Sequence, residues 1–247
     1  TSTENESTEN KLTEKDYENA KKIMEKGLQA LGAQAEFVKL DVTDEQAAEQ
    51  LFKDVVAKHG AVYGLVNCAG IGPSAKVVGK ESVHDLAMFS KTLHINVTGT
   101  FNMLRFAADA MSKNIVAEGD EDRGVIVNTA SVAAFDGQIG QAAYSASKGA
   151  VVAMTLPIAR ELARHQIRVL TIAPGIMETP MLKGLPQNVQ DALGQMVPYP
   201  SRLGRPEEFG RLVAHIAENS YLNGEVIRLD GGIRMAGPHS PFAASAA

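Results

Sequence analysis

The stretch Gly124 to Lys148, GVIVNTASVAAFDGQIGQAAYSASK, constrains the fold more than any other part of the 247-residue chain. Val125 to Val127 is an unbroken β-branched run, the composition of a parallel strand covered on both faces. The run ends in Asn128, Thr129, Ala130 and Ser131, small or polar residues suited to a strand end. From Gln141 the pattern turns helical, so Tyr144 and Lys148, four apart, share one helix face one turn from each other. Ser131 can face both across a short loop.

This trio suits proton transfer coupled to hydride transfer at a carbonyl or secondary alcohol. A phenol has an unperturbed pKa of about 10 and is a poor acid or base at neutral pH. A lysine ammonium about 4 Å away, at an effective dielectric near 20, favours phenolate by roughly 4 kcal/mol, about three pKa units. That pull would bring Tyr144 near working pH, where a general acid or base is most effective. The plain reading, an exposed helical Tyr/Lys pair with Ser131 as a capping residue, is the better account of the bare spacing alone. The preceding strand and the serine favour chemistry.

Around this centre the chain reads as one α/β domain over residues 11–236. Residues 1–10, TSTENESTEN, have no apolar side chain and read as a disordered leader; residues 237–247 read as a flexible tail. A helix is expected from Thr13 to Gly32, a strand from Ala35 to Leu40, and a helix from Thr43 to Gly60 burying Ala47, Leu51, Phe52 and Val55. A strand over Val62 to Val66 then leads into Asn67-Cys68-Ala69-Gly70, and a loop runs from Gly72 to His84. A long helix comes next, with Leu86, Phe89, Leu93, Val97, Phe101, Leu104 and Met111 on one stripe.

After the central strand come the helix Gln141 to Ala163, a strand from Arg168 to Ala173, a lid over Met177 to Ser201 carrying Met181, Leu185 and Met196, a helix opening at Pro206, and a strand over Val226 to Leu229. The Gln141 to Ala163 helix is small or apolar nearly all round, so it needs burial on two sides, against its own sheet and a partner subunit. Pro157 should kink it.

Composition excludes several classes. A net charge of −5 with interspersed signs offers no basic stripe for nucleic acid. The lone cysteine, Cys68, rules out an intrachain disulfide and reads as a small buried hydrophobe. No apolar run reaches the length of a membrane span, and no leader of targeting composition is visible, so an intracellular, soluble protein is expected. No metal set is apparent.

Through NTASVAAFDGQIGQAAYSASKGAVVAMTLPIARELA, VPYPSRLGRPEE and NGEVIRLDGGIRM the chain resembles the short-chain dehydrogenase/reductase family over Thr13 to Met235, and within it the type-2 3-hydroxyacyl-CoA dehydrogenases. The resemblance implies a Rossmann-like doubly wound parallel sheet and an NAD-dependent oxidoreductase acting on 3-hydroxyacyl-CoA or 3-ketoacyl-CoA. It implies Tyr144 as acid/base, Lys148 tuning it and reaching a cofactor ribose, Ser131 orienting the substrate oxygen, and Asn96 breaking the long helix to hold a relay water. The implied cofactor contacts are Asp41, Val42, Asn67, Cys68, Ala69, Gly70, Pro174, Ile176 and Thr179, with Gln138 touching substrate. Asp41 alone also fits a strand-end turn former.

The family's opening strand and glycine-rich pyrophosphate turn do not occur in these residues, which makes the sheet N-terminally incomplete, removes the residue that separates NAD from NADP, and allows a second reading as a non-catalytic subunit. With those strands missing, a five-stranded sheet is expected in the order Ala35, Val62, Gly124, Arg168, Glu225, with Ala35 to Leu40 pairing against Val62 to Val66. A homotetramer, and a cytoplasmic or mitochondrial-matrix location, are implied in the same way.

Overall fold

Strands rich in Val and Ile alternate with helices, and in the computed structural model they assemble into one parallel sheet. Residues 35–116, 118–179, 182 and 186–235 are described. The expected helix from Thr13 to Gly32, the leader, the tail and the lid residues Met181 and Leu185 lie outside them. The chain divides into two compact units, Thr1–Leu40 and Asp41–Ala247. In the first, residues 35–40 carry neither strand nor helix.

The second unit contains α1 (Glu45–His59), β1 (Gly64–Asn67), α2 (Leu86–Leu93), a π-helical segment (His94–Gly99), α3 (Thr100–Ser112), β2 (Gly124–Thr129), the single turn α4 (Ala133–Asp136), α5 (Ala142–Leu162), β3 (Ile167–Pro174), α6 (Gln187–Gln195), α7 (Pro206–Glu218) and β4 (Val226–Leu229). All strand pairs are parallel, in the order β1-β2-β3-β4. The order expected of the last four strands therefore holds.

The fifth expected strand does not form: Ala35 to Leu40 joins no ladder, and β1 is an edge of the sheet among the described residues. The segment reads AEFVKL, with Glu36 and Lys39 among the apolar residues, whereas a parallel strand covered on both faces needs a continuous apolar run. Val38 is 52% exposed.

Side-chain alternation along β2 and β3 builds two cores. Val127, Leu170 and Ile172 meet Phe209, Leu212, Val213 and Ile216 of α7 on one face. On the other, Ala130 and Ala173 meet Val151, Val152 and Met154 of α5, and the buried Thr155 and Thr171 hydroxyls lie 2.6 Å apart. Arg168, 4% exposed, donates to the Ile216, Ala217 and Leu222 carbonyls and pairs with Asp122 at 2.5 Å, so a strand residue satisfies the C-terminal carbonyls of α7.

Helix boundaries reflect capping chemistry. α1 begins after Asp44, whose carboxylate accepts from the Ala47 amide at 2.9 Å, rather than at Thr43 as expected, because the Thr43 hydroxyl is engaged by Asp41. Its stop at Gly60, φ +85°, is as expected. α1 buries Ala48 and Phe52, with Ala47, Leu51 and Val55 half-buried.

The long helix does break at Asn96, as a π segment. The wider turn shifts the buried face of α3: of the expected stripe Leu104 and Met111 are buried, whereas Phe101 is 45% exposed and Asn102 and Met103 are buried beside it. Leu86, at the start of that stripe, is 75% exposed. α5 runs through Pro157.

Candidate active site

The C-terminal end of β2, the N-terminal half of α5 and the π segment converge on one point. α5 places Tyr144 and Lys148 on the face towards the end of β2, as their spacing requires. Lys148 is 6% exposed, and its Nζ donates to the Thr129 carbonyl at 2.7 Å. Ser131 lies two residues further on: its Oγ accepts from the Ala133 amide at 3.1 Å, and it stands near enough to the Tyr144 phenol to pull its pKa down. The Tyr144 ring packs against Gly72, where a Cβ would lie 3.4 Å from Cε2.

Asn96 is fully buried in the π turn and uses every polar atom of its amide. Oδ1 accepts from the Ile71 amide at 2.8 Å, while Nδ2 donates to the Ile71 carbonyl at 2.8 Å and to Ser147 Oγ at 2.9 Å. Ser147 in turn donates to the Tyr144 carbonyl at 2.7 Å. One amide thus ties the loop after Gly70 to the helix carrying Tyr144 and Lys148. The Asn96 carbonyl accepts from Thr100 Oγ1 at 2.8 Å and retains a second lone pair.

The electrostatics differ from the expectation. Burial raises the Tyr144 phenol above its ordinary value, opposed by the Ser131 hydrogen bond. Burial also lowers the Lys148 ammonium to about 8, opposed by the Cys68 thiol. The expected pull of Lys148 on the phenol does not dominate, because Nζ is turned onto the Thr129 carbonyl and stands 5.9 Å from the Tyr144 ring centroid. Desolvation disfavours the charged form of both groups.

The predicted cofactor residues lie along the same edge. Asn67 and Asn128 are register partners at the ends of β1 and β2, joined by Asn67 Nδ2 donating to Asn128 Oδ1 at 2.9 Å. Cys68, Ala69 and Gly70 are exposed. Cys68 is therefore not the buried hydrophobe expected: it sits on the turn past the strand end, its Sγ 3.6 Å from Thr129 Oγ1. Gly70 lies so close to the centre that a Cβ would stand 3.0 Å from Asn96 Oδ1 and 3.5 Å from Lys148 Nζ.

Asp41 accepts from the Thr43 amide and hydroxyl at 2.9 and 2.8 Å, and these bonds hold its carboxyl below the usual range. Val42 is tied to α3 by Asn102 Nδ2 donating to its carbonyl at 2.9 Å. The Pro174 carbonyl accepts from the Val132 amide at 3.0 Å, which sets the end of β3 beside the Ser131 segment. Ile176 lines a cavity with Met177, Val197, Pro200 and Leu229. Thr179 is exposed, and its Oγ1 accepts from the Leu182 amide at 3.4 Å. Gln138 is exposed, with its amide donating to Gln141 Oε1 at 2.9 Å.

Sequence reasoning missed Thr129, Ser147 and the Ile71-Gly72 wall. Only Ser147, the neighbour of Lys148 and three residues from Tyr144, carried a usable signal, since i to i+3 residues share a helix face. Among the described residues no group of three His, Cys, Asp or Glu side chains is placed to hold a metal, and no helix is long and apolar enough to cross a membrane.

A family model described as enoyl-(acyl carrier protein) reductase matches residues 9–234. The chain is 52% identical over 207 residues to 3-hydroxyacyl-CoA dehydrogenase type-2 of Bos taurus, covering 83% of this chain and 79% of that protein. The same identity and coverage hold for the Homo sapiens protein of that name. The crystal structure of 3-hydroxyacyl-CoA dehydrogenase type-2 from Mycobacterium avium superposes with a TM-score of 0.79 at 37% identity, covering 84% of this chain and 81% of that one.

Proposed function

Because the chain belongs to the short-chain dehydrogenase/reductase family, we propose that it interconverts 3-hydroxyacyl-CoA and 3-ketoacyl-CoA with NAD(H). The observation that carries this reading is the convergence of Ser131, Tyr144 and Lys148 at the end of β2, locked by Asn96 from the π turn.

The donor set suits a dinucleotide. Lys148 Nζ beside Gly70 can donate to ribose hydroxyls, the Asp41 carboxylate can accept from an adenine amine, and the exposed small residues Cys68, Ala69 and Gly70 let a ligand approach backbone. Val42 and Asn67 border that path; Pro174, Ile176 and Thr179 would flank the nicotinamide end. A nicotinamide held there would supply the hydride for the substrate carbonyl carbon, or accept it from the alcohol carbon.

In reduction Tyr144 donates its proton to the carbonyl oxygen as C–H bond formation places charge there; in oxidation its deprotonated phenolate form takes the hydroxyl proton. Its raised pKa keeps the phenol protonated and ready to donate at neutral pH. Ser131 donates a hydrogen bond to the same oxygen and stabilises its developing charge. Lys148 brings positive charge next to the phenol, and Asn96 offers its remaining carbonyl lone pair to a water leading from Lys148 to solvent. Gln138 contributes a substrate contact. The assembly is a homotetramer built on the outer face of α5 and on β4.

Titration of the purified protein with NADH, monitored by fluorescence, tests the reading: saturable binding in the micromolar range is expected. Absence of binding at millimolar NADH would overturn it in favour of a non-catalytic subunit.

A further inference from the structure

Ser131 lies just past the end of β2, between Ala130 and Val132, whose amides still donate to the Ile172 and Pro174 carbonyls of β3 at 2.8 and 3.0 Å, so its backbone is held by the sheet while its side chain is not. Its hydroxyl is oriented by the Ala133 amide, the first residue of the single turn α4. A lone turn of helix has no stability of its own. Something must hold its far end.

That end is Asp136. Its carboxylate accepts two bonds from the Arg228 guanidinium of β4, Oδ2 from Nη2 at 2.6 Å and Oδ1 from Nη1 at 3.2 Å. Arg228 is itself fixed, donating from Nε to Asp230 Oδ2 at 2.7 Å and from Nη2 to the Ile233 carbonyl at 2.9 Å, with its guanidinium carbon 5.2 Å from the centroid of the Phe135 ring in the same turn. Asp230 is anchored by the Gly232 amide at 2.9 Å and by Arg234 at 3.2 Å. The side chains of Asp136 and Arg228 are 17% and 20% exposed. A two-bond carboxylate–guanidinium fork fixes orientation as well as distance.

Resting on the proposed reaction, we propose that Asp136 and Arg228 are positioning residues that set the Ser131 hydroxyl against the Tyr144 phenol by clamping α4 to the end of β4. Neither touches the reacting atoms. The clamp makes the segment after the last strand the brace of the active-site serine, and gives the Arg228-Leu229-Asp230 run a function its sequence does not disclose.

The test separates positioning from simple destabilisation and from the reaction itself. In protein labelled with 13C at tyrosine Cζ, the Tyr144 resonance reports the hydrogen bond at the phenol oxygen without any turnover. Asp136→Asn is expected to move it in the same direction as Ser131→Ala, while Asp136→Glu, which keeps the fork, restores the wild-type position. In steady-state reduction of acetoacetyl-CoA, Asp136→Asn is expected to lower kcat about tenfold with KM for NADH unchanged, and to lower it less than twofold in a Ser131→Ala background, since two residues acting through one hydroxyl are non-additive. If Asp136→Asn does not fold, Arg228→Lys supplies the same readouts with charge retained and the fork lost. A Tyr144 resonance unmoved by the variant, or equal losses in both backgrounds, overturns the clamp. Absence of turnover by wild-type protein counts against the proposed reaction alone, and the resonance still decides the clamp.

Discussion

β2 with α5 and β1 with the turn after it are neighbours in one sheet, yet they are built differently. Along β2 four of the six residues are buried and the other two half-buried, and Lys148, Asn96, Ser147 and Thr129 bond to one another or to nearby backbone. Along β1 only Asn67 is buried; Val66 is 42% exposed, and Cys68 to Gly70 face outward. The first region holds its reacting groups with the chain's own atoms. The second presents backbone and small side chains, the surface a flat ligand needs. On the proposed reading, acid/base geometry is preorganised by the fold, while the side proposed for the cofactor leaves its contacts to be completed by the ligand.

The largest effect should fall where the packed region does chemistry. Tyr144→Phe keeps the ring against Gly72 and removes one hydroxyl, so kcat should drop by about 10³-fold, with circular dichroism and NADH affinity unchanged. A loss below tenfold would take the reacting proton away from this residue.

The next two expected effects gauge packing and burial. Ile126→Ala, at a fully buried β2 position, should cost about 3 kcal/mol in urea unfolding. For Lys148, burial lowers the ammonium to about 8 from an ordinary 10.5. Between those values the unfolded chain binds more protons than the folded one, so stability must rise with pH across that window, by up to about 3 kcal/mol. Lys148→Met should flatten the rise in urea titrations at pH 8 to 10. In the wild type, kcat/KM for reduction should fall above pH about 8 as the ammonium charge is lost. The smallest effect belongs to the open edge, where Val66→Ala should cost less than about 1 kcal/mol, because a side chain that stays partly in water loses little by truncation. Comparable costs for Ile126→Ala and Val66→Ala would erase the distinction between the regions.

Much of the packed region was legible in the sequence. A β-branched run, a small-residue turn and then a 3.6-period pattern fix a strand, a loop and a helix face, and hence the meeting of Ser131, Tyr144 and Lys148. The break at Asn96 came from family resemblance, with support from the poor fit of a buried asparagine inside a helix. Its local effect was not legible, since a π turn leaves no mark on hydropathy: Phe101 ended outside, while Leu104 and Met111 of the same stripe are buried.

Pairing was equally hidden. Ala35 to Leu40 has strand-like residues, but a strand exists only through its ladder, and Glu36 and Lys39 suit neither face of a covered sheet. The pKa expectation failed because it assigned a distance from spacing alone, whereas the direction of Nζ, towards the Thr129 carbonyl, is a tertiary fact. The Asp136–Arg228 clamp joins residues 92 positions apart and no local pattern announces it.

The most direct test of the account is oxidation of NADH by acetoacetyl-CoA, measured as loss of absorbance of the reduced nicotinamide with purified wild-type chain and Tyr144→Phe side by side. Substrate-dependent oxidation by the wild type, yielding 3-hydroxybutyryl-CoA and nearly abolished in the variant, is the result expected. Folded wild-type protein that leaves NADH unoxidised, or a variant that oxidises it as fast as wild type, would contradict the assignment of this site to the reaction.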